Sequence, residues 1–143
     1  MNSIINISKL PLVAIDWAVA SINRRNIVRD PMGFKDPSLE QSGFWIWEDG
    51  KGRKGGSTYL LIGADYSPTK NPSQGNQIAD ENFISRNVHY DENQAPYWVA
   101  SMISTKTDEL IESKGETSLE AAMRCFVKSE LGEEIEAPDI YKA

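Results

Sequence analysis

Residues 117–131, TSLEAAMRCFVKSEL, followed by Gly132, decide how this chain is read. Leu119, Ala122, Met123, Phe126, Val127 and Leu131 recur at i, i+3, i+4, i+7, i+8 and i+12, which is one apolar stripe of a helix. Thr117 followed by Glu120 fits a capping box, and Gly132 fits the residue that stops a helix. Glu120, Arg124 and Lys128 then fall at four-residue spacing on the outer face. A helix with a buried stripe needs something to bury it against, so the rest of the chain must supply that partner.

Upstream, residues 8–23 give a second helix, with Leu12, Ile15, Val19 and Ile22 on one stripe and Pro11 in its first turn. It is apolar over much of its circumference, which predicts burial on more than one side, between a sheet and the last helix or at an oligomer contact. Between the helices the strand signals accumulate. Residues 26–30 form a short strand and 31–42 a loop; 43–48 and 57–62, rich in aromatic and β-branched residues, form a hairpin. The hairpin tip, DGKGRKGG at 49–56, formally contains Gly-x-Gly-x-x-Gly. A strand follows it instead of a helix, so it is not a dinucleotide fingerprint. Residues 63–75 are turns, 76–86 a short helix with Ile78 and Phe83 inward, 87–90 a weak strand and 97–102 a better one. Residues 105–116 read as polar loop with one helical turn, and an acidic tail runs through Pro138. The expectation is a single α+β domain, residues 1–143, in which a small antiparallel sheet packs against an N-terminal and a C-terminal helix.

Composition narrows the chemistry. The net charge of −6 disfavours a grip on long nucleic acid, whose affinity comes from phosphate neutralisation. Cationic clusters at Arg24, Arg25 and Arg29 and at Lys51, Arg53 and Lys54 still allow a local pocket for a small anion. With one cysteine (Cys125) and one histidine (His89), neither a disulfide nor a histidine-rich metal site is expected. No nucleophile elbow, Walker loop or Cys-x-x-Cys occurs, so no catalytic, metal or cofactor residues are assigned. No run is long and apolar enough to span a membrane, and the start resembles no signal peptide. Arg124 and Lys128, one turn apart, are candidate phosphate contacts; the alternative is an ion-pair row with Glu120.

Three stretches carry a family resemblance. LVAIDWAVA at 12–20, YSPT at 66–69 with Gln74 and Gly75 beyond, and TSLEAAMRCFV at 117–127 with LGEE at 131–134 and Pro138 resemble the phage-encoded NinX-like proteins. The chain departs from that pattern in the second stretch, where KNPS at 70–73 and Asn76 intervene, whereas the family's motif continues through a tryptophan and a double glycine. The resemblance implies a phage or prophage accessory protein working in the cytoplasm of the infected bacterial host, without implying a reaction. By analogy with small phage proteins that counter host defence, the expected function is sequestration of a nucleotide-derived signal at a homo-oligomer interface. Arg124 and Lys128 would contact phosphate with help from Arg24 or Arg25, and Tyr66 or a tryptophan would stack the base. The alternative is a protein–protein inhibitor or adaptor acting on a host defence or regulatory protein.

Overall fold

The computed structural model describes residues 2–29, 43–50 and 53–141. The helix expected at 117–131, α3 (Ser118–Leu131), sits at the centre of the molecule. Thr117 caps it by accepting the Glu120 N–H at 3.1 Å, and Gly132 ends it at φ 95°. Every residue from Ala121 to Val127 is buried, more than an amphipathic stripe requires. The reason is that α3 has neighbours on several sides: α1 (Leu12–Ile22), α2 (Pro72–Glu81) and a sheet of β5 (Ser85–Tyr90), β6 (Pro96–Ile103) and β7 (Leu110–Gly115). The expected outer face is therefore largely inside, whereas Leu131, expected in the stripe, lies exposed at the helix end.

Helix α1 is buried around most of its circumference, as its composition predicts, with Ala14, Ala18 and Ala20 among its contact residues. It begins at Leu12, later than expected. The residue before a proline is pushed to extended backbone, and Leu10 is extended at φ −74° and ψ 138°. Pro11 accordingly becomes the cap, and residues Ile7–Lys9 form a separate 3-10 turn. Helix α2 begins earlier than expected, at Pro72, because the Asn71 side chain accepts the N–H groups of Ser73 and Gln74. It ends before Phe83, which was expected inward but stands 89% exposed in left-handed backbone, φ 53°.

Among the described residues there are three antiparallel sheets where one was expected. The first pairs β1 (Asn2–Asn6) with β8 (Glu134–Pro138), so the stretch read as an acidic tail is a strand. It buries Ile135 and Ala137 and leaves Glu134 and Glu136 outside. The second is β2 (Ile27–Arg29), β3 (Phe44–Glu48) and β4 (Thr58–Leu61), with the expected hairpin pairing Trp45 to Leu61 and Glu48 to Thr58. The loop expected at 31–42, and Lys51 and Gly52 of the hairpin tip, lie outside the described residues. The third is β5-β6-β7, and β7 replaces the expected loop. Its inner positions are Ile111, Ser113 and Gly115, too polar a set to announce a buried face. Gly115 is obligatory: a Cβ there would meet the Ala121 backbone nitrogen at 2.5 Å, where β7 turns into α3.

Candidate functional site

The polar row of α3 forms the floor of a groove. One wall is β7, from Glu112 to Lys114, and the other is residues 6–8 with Glu133. The hollow holds about 390 Å³. Arg124 is 8% exposed and anchors the floor. Its Nε donates to Glu120 Oε2 at 3.0 Å, Nη1 to the Ile7 carbonyl at 2.5 Å and Nη2 to the Leu10 carbonyl at 2.8 Å. The Ile7 carbonyl also accepts the Leu10 N–H at 3.3 Å within the 3-10 turn, whereas the extended backbone before Pro11 takes the Leu10 carbonyl out of any helical bond, and a planar fork of donors suits both. Lys128 is freer. Its Nζ donates to the Glu112 carbonyl at 3.1 Å and lies 3.8 Å from exposed Glu133.

A second hollow adjoins the first, sharing Lys114 and Glu120 and adding Asp91, Tyr97, Gly115 and Glu116. The Lys114 ammonium lies 5.4 Å from the Tyr97 ring centre, and His89 stacks on the same tyrosine at 5.7 Å. His89 is exposed on edge strand β5, and Asp91 Oδ1 accepts the N–H groups of Asn93 and Ala95, holding the turn. Cys125 is buried, donates to the Ile111 carbonyl at 3.4 Å, and has its thiol pushed up to about 12 by burial. A thiol so disposed is a packing group.

The other expected ligand residues lie elsewhere. Arg124 holds residues just before α1, whereas Arg24 and Arg25 follow its end, about 16 Å away along an eleven-residue helix. Arg24 is exposed at φ 56°. Arg25 pairs with Glu48 and lies over the Tyr66 ring at 5.1 Å. Tyr66 is 4% exposed, and burial raises its hydroxyl pKa against the opposing effects of Asn23 and Arg25. Within one copy, Arg124 and Lys128 share a groove; Arg25 and Tyr66 form a separate packed cluster.

Beside that cluster sits Asp16, 1% exposed on α1. Its Oδ1 accepts the Thr69 N–H at 3.0 Å. Burial raises the carboxyl pKa to about 7, although the Thr69 N–H and hydroxyl, and Lys70 beyond, favour the charged form. The Thr69 hydroxyl is near enough to act on the carboxyl, yet neither it nor Asp16 Oδ2 has a hydrogen-bond partner of good geometry among the described residues. The segment carrying Thr69 is clamped by Gln74, which accepts the Ser67 N–H at 2.7 Å and donates to the Asp65 carbonyl at 3.0 Å. Gly75 admits the close approach, since a Cβ there would lie 2.2 Å from the Pro68 carbonyl oxygen and 2.7 Å from Leu119.

A sequence model of the family described as "Bacteriophage P22, NinX" matches residues 6–130. The chain belongs to this family. None of the curated proteins compared with it matches. The NinX match runs from the groove wall at Asn6 to the end of α3, and leaves β8 outside. The stretches resembling NinX-like proteins converge in space: Asp16 meets Thr69, and Gly75 lies against Leu119 of α3. Tyr97 and Lys114 escape a reading by motif, because Tyr97 looks like a core aromatic and Lys114 falls in a segment without an apolar period. Asp16 does carry a signal, as a lone carboxylate in a helix otherwise apolar. No helix among the described residues is long and apolar enough to cross a membrane.

Proposed function

We propose that this phage accessory protein acts by binding, holding a small phosphate-bearing, nucleotide-like ligand in the groove beside β7. The observation that carries this reading is that Lys114 lines two adjoining hollows, one with Lys128 and the other with the Tyr97 ring. Lys128 and Lys114 contact phosphate, and the ligand displaces the long contact between Lys128 and Glu133. Arg124 keeps two of its donors on backbone carbonyls and supports the floor. Tyr97, half-buried with a cation beside it, takes the stacking role expected of Tyr66. Sequestration of a host nucleotide signal is the counter-defence role such binding serves. Isothermal titration of the full chain against cyclic nucleotides and cyclic ADP-ribose isomers tests it. Heat of binding to one class is expected; silence from all of them, at protein concentrations well above micromolar, removes the proposal.

A second reading, an adaptor for a basic host protein, is favoured by the groove's own carboxylates. Glu112, Glu120 and Glu133 offset Lys114, Arg124 and Lys128 there, and exposed Glu134 and Glu136 extend the acidic side. Charge reversal at Glu133 and Glu134 abolishes the biological effect in that case, while Lys114→Ala leaves it intact.

A further inference from the structure

The sheet β5-β6-β7 has two outer edges, and they are built differently. The β7 edge carries Glu112 and Lys114, and Lys128 donates to its Glu112 carbonyl. Charged side chains and occupied carbonyls are what keep an edge strand from pairing with another chain. The β5 edge is less protected: its one charged side chain, Arg86, is tied to Asn76 and Ser118 of its own chain. Its sequence, SRNVHY, contains no lysine, no carboxylate and no proline, and its register against β6 runs unbroken from Ser85 to Tyr90. Among the described residues no strand pairs with its other side. Val88 and Tyr90 are 44% and 62% exposed, and Phe83 stands out in left-handed backbone just before the strand.

The backbone directions follow from the register. The bond from Lys128 shows that the Glu112 carbonyl points away from β6, so Ser101 opposite it turns its own groups toward β5. Ser85, Asn87 and His89 therefore bond to β6, and Arg86, Val88 and Tyr90 present their N–H and C=O groups to the open side.

We propose that β5 is a self-pairing edge, joining two copies of this chain antiparallel about Val88 into one six-stranded sheet. Two-fold pairing keeps each face of the sheet on its own side only if opposed residues share a face. The register centred on Val88 satisfies this, opposing Val88 to Val88 and Arg86 to Tyr90 on the helix face, and Asn87 to His89 on the other. It also brings together residues whose backbone groups are free. Charge favours the same partner. The molecule carries −6 overall, which keeps copies apart, yet this strand's one charged side chain is a cation. Arg86 holds Asn76 and Ser118 at 2.7 and 3.3 Å, so it meets Tyr90 of the second copy from a fixed position. The same register carries Phe83 opposite the turn at 91–95, where Asp91 and Glu92 lie near Arg86 of the second copy.

Native mass spectrometry and equilibrium sedimentation of the full chain are expected to give twice the 16.0 kDa subunit mass. Val88→Asp sets two carboxylates face to face at the axis and is expected to give a monomer with an unchanged circular dichroism spectrum. Leu110→Asp, on the β7 edge, is expected to remain a dimer. Should Val88→Asp fail to fold, Val88→Cys serves instead. Paired residues of this type lie about 5.5 Å apart between Cα atoms, within bridging distance, and mild oxidation is expected to yield a covalent dimer. A wild-type monomer at concentrations well above micromolar overturns the proposal. So does a dimer that survives Val88→Asp while Val88→Cys fails to cross-link.

Discussion

Arg124 and Asp16 are both charged residues held almost entirely out of solvent, one under the groove and one behind Tyr66. Their surroundings treat them oppositely. Each guanidinium nitrogen of Arg124 finds an acceptor, two of them backbone carbonyls, of Ile7 and Leu10, just before α1. The Asp16 carboxylate finds one backbone N–H for Oδ1 and no well-aligned partner for Oδ2 among the described residues. A buried charge is stable where its hydrogen-bonding capacity is matched, and otherwise the group shifts its pKa toward the neutral form. Burial thus makes Arg124 a structural tie and Asp16 a titrating group.

The contrast breaks first at Arg124. Arg124→Ala removes the guanidinium from the Ile7 and Leu10 carbonyls and from Glu120 Oε2, and a loss of about 3–5 kcal/mol is expected in urea unfolding. Arg124→Lys recovers a minor part, because one ammonium cannot serve three separated acceptors.

Asp16 gives the next effect, visible against pH. Its folded-state pKa of about 7 exceeds the ordinary 3.8, so the folded chain binds this proton more tightly than the unfolded chain. The stabilisation is full below the unfolded value, declines as pH rises, and is lost once pH passes the folded value near 7. The fall is up to about 4 kcal/mol. Denaturation midpoints measured from pH 4 to 8 are expected to decline over this window, and Asp16→Asn flattens that part of the profile.

The smallest effect concerns α3 itself. Thr117→Ala removes the acceptor for the Glu120 N–H and is expected to cost about 1 kcal/mol in the same unfolding measurement. Because Glu120 also holds Arg124, the loss exceeds that of an isolated cap if the two are coupled, which a double-mutant cycle measures.

These differences also explain what the sequence made legible. The α3 stripe, its cap and its glycine stop were readable because they are local. So were α1 and the β3–β4 hairpin. The pairing of β1 with β8 joins the two ends of the chain, and no local pattern announces a contact of that span. Strand β7 hid because its inward positions include Ser113 and Gly115, which pack close to α3 in place of bulky apolar residues. At the groove, Arg124 and Lys128 come together because four-residue spacing places them on one helix face. That Arg124 is enclosed depends on the carbonyls of Ile7 and Leu10, far away in sequence. Tyr66 reads from sequence as an available stacking ring because it opens a turn-rich stretch. Arg25 covers it.

The most direct measurement compares the two regions by ligand titration. Lys114→Ala with Lys128→Ala is expected to weaken nucleotide binding more than tenfold, while Arg25→Ala beside Tyr66 leaves it unchanged. If the groove variant binds as the parent does and Arg25→Ala abolishes binding, the ligand lies at the Tyr66 cluster and the assignment of the groove is contradicted.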